Sequence, residues 1–387
     1  MKILIVGPTF YPNVNGASYF TQGLAHYLYK RGHSILVIAP SRFIRDENYN
    51  LDGVSVFGAR SFPTFTNGFR IAQSIFIKNK IREKIKEFSP DVIHLQSHLV
   101  FGRAIVKIAK EFQIPVVGTN HFMPENLIHY FYLPGKVENY IIRWAWKGFL
   151  KIFEKIDAVT TPTEIGAKLL ADIGLTKTVV SISNGVDLKI YNPQNNGNYL
   201  RRKYNLPEKS TLLYLGRLDK EKNVDVLLKA FALAVKKFDA HFIIAGIGAE
   251  EKNLRKLTAE LKIKKLVTFT GFVAEKDKPY LYRIADCFAI AGIAELQSIV
   301  TMEAMASGLP VIAVKAMALP HLVRHGENGY LFKIDEVKLI AGYIINIFSN
   351  KELRNRMSEK SLEIIKGHDI DKIIEKYETL YTKIINR

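Results

Sequence analysis

Apolar residues recur along this chain in two alternating patterns. The runs ILIVG (3–7), ILVIAP (35–40), DVIHLQ (91–96), PVVGTN (115–120) and DAVTTP (157–162) are short and nearly continuous, the pattern of parallel strands buried on both faces. Between them, SYFTQGLAHYLYKRG (18–32) and FRIAQSIFIKNKIREKIKEF (69–88) place apolar residues at three- and four-residue spacings, which predicts amphipathic helices. Strand–helix–strand alternation of this kind builds a parallel sheet covered by helices. The pattern stops at LKIYNPQNNGNYLRRKYNLPEKS (188–210), rich in Asn, Pro and Gly, and this stretch reads as a domain junction. It resumes with TLLYLG (211–216), HFIIAG (241–246), LVTFTG (266–271), DCFAIAG (286–292) and PVIAV (310–314). The chain therefore reads as two α/β domains, 1–187 and 188–369. A terminal segment, 370–387, carries a last helix over about 370–385 that no strand follows, expected to pack back across the junction. A length of 387 residues suits two cores better than one, since a domain runs to roughly 100–200 residues.

Composition narrows the setting. With 48% hydrophobic residues and no long low-complexity stretch, the chain is globular. Its one cysteine, Cys287, lies in the apolar run ADCFAIAG; it can form no internal disulfide and reads as a buried structural thiol suited to a reducing compartment. No apolar run approaches the ~20 residues that span a bilayer. The opening MKILIVG is followed directly by a Gly/Pro/Asn loop, so it reads as a first strand rather than a signal peptide, and a cytoplasmic location is expected. Fifty-five Lys and Arg against 37 Asp and Glu leave a net charge of +18, which favours anionic partners. Nucleic acid is the weaker of these, because the cations are scattered through helices and no recognition motif appears.

Ligands of open parallel sheets bind beyond the carboxyl ends of the strands, and the polar motifs fall there. In GPTFYPNVNGAS (7–18), Gly16 opens a helix after a loop; a helix N-terminus seats phosphate, although a glycine kept for turn geometry also fits. In GRLDKEKNVDVLL (216–228), Arg217 and Lys222 flank a turn. A planar fork and a mobile point charge suit a diphosphate; solvated loop cations are the plainer alternative. AELQSIVTMEAMASGLPVIAV (294–314) holds Glu295 and Glu303, separated by seven residues. Eight helical steps span about 12 Å, so the two carboxylates could accept hydroxyls from both ends of one sugar-bearing ligand. Either glutamate alone would read as surface or cap. No histidine cluster suggests a bound metal.

Taken together, these segments resemble the family 4 retaining glycosyltransferases of the GT-B fold. The resemblance rests on G-R-x-x-x-x-K, the paired glutamates and E-A-M-A-x-G-x-P-V-I, with NGVD (184–187), AGIGAEEKNLRKL (245–257) and HGENGYLF (325–332) as further matches across the whole chain. It implies two Rossmann-like domains with parallel sheets facing an interdomain cleft, an acceptor-side domain first and a nucleotide-sugar-binding domain second. It further implies that Arg217 and Lys222 grip the donor diphosphate and stabilise the leaving group. Glu303 would bind the ribose and Glu295 the transferred sugar, with backbone N–H groups near Ile299 and Val300. Gly16 would let the first domain's helix approach the diphosphate, and His121, in GTNHFMPEN, would lie near the reacting sugar; a strand-capping histidine is its structural alternative. His94 and His98 lie near the same sheet edge. Retention follows from the resemblance, with the donor's own phosphate oxygen as the base; no cofactor is expected, and no metal, because Arg217, Lys222 and helix N-termini can take its role.

Two positions depart from the family pattern. A second glycine is replaced by Ala17, and the common E-G-F-G reads Glu295-Leu296-Gln297-Ser298. That sequence, with ALPHLV (318–323) and TNHFMPEN, is similar to members that glycosylate diacylglycerol or related lipids. The expectation is a hexose transferred from UDP-glucose to a lipid acceptor. GDP-mannose-dependent transfer to a lipid or polysaccharide and a nucleotide-sugar epimerase are the alternatives; a catalytically dead sugar sensor fits poorly because every donor-site residue is present. An anionic membrane surface is the expected partner. Arg70, Lys78, Lys80, Arg82, Lys84 and Lys86 line 69–88, while Trp144, Trp146 and Phe149 stand among Arg143, Lys147 and Lys151 in 137–155. Basic residues beside aromatics suit the headgroup boundary, which would put the enzyme peripherally on the inner face of the membrane; ordinary core faces with solvated cations are the alternative.

Overall fold

The computed structural model describes residues 1–13, 15–63, 70–72, 74–124 and 135–387. Contacts divide the chain into two units, Met1–Asn184 with Asp371–Arg387, and Gly185–Ile370.

The first unit contains β1 (Lys2–Val6), β2 (Ser34–Pro40), β3 (Glu47–Leu51), β4 (Val54–Ala59), β5 (Ser61–Pro63), β6 (Arg70–Ala72), β7 (Val92–Leu95), β8 (Val116–Thr119), β9 (Ala158–Thr161) and β10 (Val179–Ser181). Its main sheet has the order β10-β9-β8-β7-β1-β2-β4-β3, parallel throughout except for the antiparallel edge pair β3–β4. Ile3, Leu4, Ile5, Val37, Ile38, Val92 and Ile93 are fully buried, as continuous apolar runs between two helical layers require. The apolar pattern missed β3, β4 and β10. ENYNL alternates half-buried and exposed positions, the profile of a wetted edge strand. Residues 70–72 form a strand where the periodicity predicts helix. The Arg70 guanidinium donates to Ser61 Oγ at 2.7 Å and to the Ser61 carbonyl at 2.9 Å, tying this segment to β5 in a two-stranded ribbon. The helix begins at Ser74; Phe69 and Gln73 lie outside the described residues.

Two expectations about the basic helices need correction. In the helix Gly135–Phe153, Trp146 and Phe149 are core residues, whereas Tyr140 and Trp144 are about seven-tenths exposed. Two residues along a helix turn by about 200°, so Trp144 and Trp146 cannot share a face. In the helix Ser74–Phe88, Ile77, Ile81 and Ile85 face the core, and three cations of the other face are paired: Lys80 with Asp46, Arg82 with Glu111, and Lys84 with Glu87. Among the described residues no helix is long and apolar enough to cross a membrane.

The second unit contains β11 (Ser210–Leu215), β12 (Ala240–Ala245), β13 (Val267–Gly271), β14 (Cys287–Ile290), β15 (Val311–Val314) and β16 (Gly329–Phe332). The order is β13-β12-β11-β14-β15-β16, all parallel. The edge strand β16 was not anticipated. Cys287 is fully buried, and burial pushes its thiol well above the ordinary range, which makes it inert. The Asn/Pro-rich segment after Asp187 carries a short helix, Asn198–Lys203, pinned by buried Leu200.

The last helix, Ile370–Ile385, belongs to the first unit from Asp371 onward. It buries Tyr377 and Tyr381 completely. His94, at the centre of β7, lies 2.7 Å from the Tyr381 hydroxyl through Nδ1 and 2.6 Å from Thr119 Oγ1 through Nε2. Both ring nitrogens are thus engaged in structure, and burial pushes the His94 imidazolium down to about 3. An unfolded histidine titrates near 6.5. Between these values the unfolded chain holds the extra proton, so stability is lost as pH falls below about 6.5, by up to ~1.4 kcal/mol per pH unit. Urea unfolding at pH 7.5 and 5.0 should show this loss, and His94→Gln should make it shallower while lowering stability at pH 7.5.

Candidate active site

In both sheets the strand order reverses beside the first strand of the unit, between β1 and β7 and between β11 and β14. Connections leave such a point in opposite directions, opening a crevice at the carboxyl ends. In the second unit the reversal is where the loops after β11 and β14 emerge, and they carry Arg217, Lys222 and Glu295. Lys222 Nζ lies 2.7 Å from Glu295 Oε1, with both side chains mostly buried. The Asn223 side chain donates to the Ala291 carbonyl at 3.1 Å, a second tie across the reversal. Asn223 is left-handed, φ 48°, a conformation Asn tolerates better than most residues. It joins the short turn Lys220–Lys222 to the helix Val224–Ala234.

Backbone packing sets the height of these loops. A Cβ on Gly246 would stand 1.8 Å from the Gly216 carbonyl oxygen, so a glycine at the end of β12 is what lets the β11 loop lie against it. A Cβ on Gly292 would stand 3.0 Å from Glu295 Oε1 and 3.3 Å from Lys222 Cδ; its absence leaves room for the ion pair. Arg217 is held by two carboxylates of its own loop, Asp219 and Glu221, the latter at 2.8 Å. The Ala318 amide donates to the Glu295 carbonyl at 3.2 Å, anchoring that loop from the ALPHLV segment.

Ile299 and Val300 begin the helix Ile299–Ala306, capped by the Ser298 side chain at the Thr301 amide. Their N–H groups fall among the first four of the helix, which have no intrahelical acceptor. Glu303, a turn further on, is largely buried. It is 5% exposed, its Oε2 accepts from the Tyr282 hydroxyl at 2.7 Å, and Lys278 Nζ stands 3.8 Å from Oε1. Burial raises its carboxyl above the ordinary value, and Lys278 opposes the rise. Glu295 and Glu303 therefore sit in different surroundings, one in a cationic loop pair and one in a tyrosine–lysine pocket. The sequence reading missed Tyr282 and Lys278, which come from a separate segment and carry no local signal. Asn223 was legible in principle, as an Asn between a turn and a helix.

In the first unit, Asn15 caps the helix Gly16–Lys30, accepting from the Ser18 amide at 2.9 Å. A Cβ on Gly16 would meet nothing within 4 Å, so packing inside the chain does not demand a glycine there. His121 follows β8; its Nε2 lies 3.1 Å from Gln96 Oε1 and its ring packs 4.6 Å from that of Phe20, on the Gly16 helix. Burial pushes its imidazolium down to about 3. The ring is thus neutral at pH 7. His98, 8% exposed, packs against Phe122 and Phe149, with ring centroids 4.8 and 5.5 Å away. Among the described residues no three His, Cys, Asp or Glu side chains gather as a metal-binding set.

Comparison with known proteins shows the family. Residues 14–190 match the model of Glycosyltransferase Family 4 and residues 198–363 that of Glycosyl transferases group 1. The chain is 30% identical over 373 residues to an alpha-monoglucosyldiacylglycerol synthase of Streptococcus pneumoniae, covering 94% of this chain and 82% of that protein. It is 28% identical over 344 residues to a GDP-mannose-dependent alpha-mannosyltransferase of Mycobacterium tuberculosis, covering 87% and 85%. Among solved structures, Anabaena HepE in complex with UDP-glucose superposes with a TM-score of 0.80 at 19% identity, over 99% of this chain and 100% of that one.

The Asn223 geometry is open to a direct check. Asn223→Ala loses the bond to Ala291 and forces a less tolerant residue into a left-handed conformation, which together should cost about 2 kcal/mol. Asn223→Gly relieves the backbone and loses only the side-chain bonds to the Glu221 and Ala291 carbonyls, about 1 kcal/mol. Urea unfolding of the two variants should rank them in that order.

Proposed function

The chain belongs to glycosyltransferase family 4, and from that premise we propose that it is a retaining hexosyltransferase taking UDP-glucose as donor and a diacylglycerol-like lipid as acceptor. The observation that carries the reading is the Lys222–Glu295 pair at the strand-order reversal, beside the open N-terminus of the helix Ile299–Ala306. In transfer, the bond between the anomeric carbon and the diphosphate oxygen breaks and the acceptor oxygen bonds to that carbon. The acceptor's proton passes to the departing phosphate oxygen. Negative charge grows on the diphosphate, and preorganised cations and helix N–H groups stabilise charge where it develops. Arg217 and Lys222 supply the cations, already oriented by Asp219, Glu221 and Glu295. Glu295 receives hydroxyls of the sugar, Glu303 those of the ribose, and the Ile299 and Val300 amides face the phosphates. In the first unit Gly16 admits the diphosphate to its helix, and neutral His121 serves the sugar as a hydrogen-bond partner. With cationic side chains in this role, transfer needs no divalent metal.

The pneumococcal relative's name supports a glycerolipid acceptor, and the neighbour holding UDP-glucose supports that donor. The mannosyltransferase relative keeps GDP-mannose as the second reading. A panel of nucleotide sugars with a lipid extract separates the two. UDP-glucose turnover should survive exhaustive chelation and give the α-linked product, and Lys222→Ala should lose on the order of 10²-fold in turnover while folding normally. Wild-type activity in that variant, or loss on chelation that Mg²⁺ reverses, would sink this assignment.

On this reading the enzyme meets its acceptor at the inner face of the membrane. Support comes from exposed Tyr140 and Trp144 beside exposed Arg143, Lys147 and Lys151, and from exposed Phe43 and Ile44 between Arg42 and Arg45. Each cation near an anionic surface contributes about 1 kcal/mol. Co-sedimentation should rise with the anionic lipid content of vesicles and fall with salt. Replacing Trp144, Lys147 and Lys151 by Ser should reduce it more than replacing the ion-paired Lys80, Arg82 and Lys84. Equal binding to neutral and anionic vesicles would remove the membrane claim.

A further inference from the structure

Three buried polar atoms at the carboxyl ends of β7 and β8 have no hydrogen-bond partner among the described residues: Gln96 Nε2, His98 Nδ1 and Asn120 Nδ2. Gln96 and Asn120 are each 1% exposed and His98 8%. More than nine in ten such groups are paired in native proteins, and leaving one unpaired costs about 1–3 kcal/mol. All three belong to or touch the segment Asn120–Phe122. Gln96 Oε1 is met by His121 Nε2 at 3.1 Å. Asn120 Oδ1 accepts from the Phe122 amide at 3.0 Å, and the Phe122 ring packs 4.8 Å from His98. Both amides therefore have their oxygen in use and an NH₂ group left over. That is a set of uncharged donors, with the imidazole able to give or take one bond more. Beside it stands an aromatic wall, Phe122 against Trp146 at 5.7 Å and Trp146 against Phe149 at 5.6 Å.

We infer that Gln96, Asn120 and His98 form the subsite that recognises the acceptor, reading the ester carbonyls and free hydroxyl of a neutral glycerolipid. The inference rests on the proposed transfer to a lipid and assigns the residues that position it. Neutral donors match carbonyl oxygens without the desolvation cost of burying a charge. The aromatic wall takes the first methylenes of the acyl chains. A phosphate-bearing lipid would need a buried cation, and this donor set supplies none.

The chain has two tryptophans, so Trp144→Phe leaves Trp146 as the fluorescent reporter beside Phe122. Titrating this protein with 1,2-dioctanoylglycerol should give a saturable change. Asn120→Ala and Gln96→Met should each raise the Kd about tenfold, the worth of one good hydrogen bond, and Asn120→Ala should leave nucleotide-sugar binding unchanged. Should Asn120→Ala fail to fold, Asn120→Asp keeps the acceptor for the Phe122 amide, removes the donor and should weaken binding at least as much. The ether analogue 1,2-di-O-octylglycerol, which lacks the carbonyls, should bind about tenfold more weakly than the ester, and inorganic phosphate should not compete. No saturable change, equal Kd in the variants, or equal binding of ester and ether overturns the inference. Variant-sensitive binding with no transfer from any nucleotide sugar would overturn the proposed reaction and leave the subsite standing. Transfer with variant-insensitive binding would do the reverse.

Discussion

A parallel sheet buried on both faces can carry polar side chains along its strands only where each is paired inside, as His94 is with Thr119 and Tyr381, so its chemistry is confined to the strand ends, and most of all to the point where strand order reverses. In the second unit that point lies between β11 and β14. The Lys222–Glu295 pair at 2.7 Å and the Asn223 bond to Ala291 cross it. Neither tie need stabilise the fold much, since a partly exposed ion pair contributes modestly. Their effect is positional. They hold two loops from opposite sides of the reversal in register, and the close backbone approach at Gly246 sets the height of the loop after β11.

The two units differ in the kind of polarity they gather. The second concentrates charge: Arg217, Asp219, Glu221, Lys222 and Glu295 lie within two loops. Such an arrangement suits a ligand whose charge grows during reaction. The first gathers neutral groups. His94, His98 and His121 are all driven by burial far below the ordinary histidine value and stand among amides and hydroxyls rather than carboxylates. Neutral imidazoles among amides form directional contacts without a net field, suited to recognising uncharged oxygens. On the proposed reading, this division separates the anionic donor from the neutral acceptor by the chemistry of each unit alone.

The basic helices show how a surface reading depends on geometry. Cations that look alike in the sequence separate into paired and unpaired sets once folded, because Asp46 and Glu111 approach Lys80 and Arg82 from other elements. Aromatic residues two positions apart separate likewise. Trp146 joins the core that Phe149 and Phe153 build, and Trp144 is left outside.

The sequence by itself determined ten strands, nine of them interior to their sheets, because a strand buried on both faces must be a continuous apolar run. It also placed the candidate residues just beyond those strands, because loops there are the polar punctuation between runs. The resemblance to family 4 glycosyltransferases was legible for the same reason, since its motifs are local in the chain. Tertiary structure alone decided the edges at β10, β3 and β16. β3 is wetted, alternating half-buried and exposed positions, so its pattern is no more apolar than that of a loop. It also decided which polar groups meet. His94 finds Tyr381 across 287 residues of sequence, Lys222 finds Glu295 across 73, and Glu303 turns inward to Tyr282. The spare NH₂ groups of Gln96 and Asn120 could be recognised only once their oxygens were seen to be taken. Hydrophobic period is a property of neighbouring residues and survives in one dimension; hydrogen-bond partnership is a property of distance in space, and folding creates it.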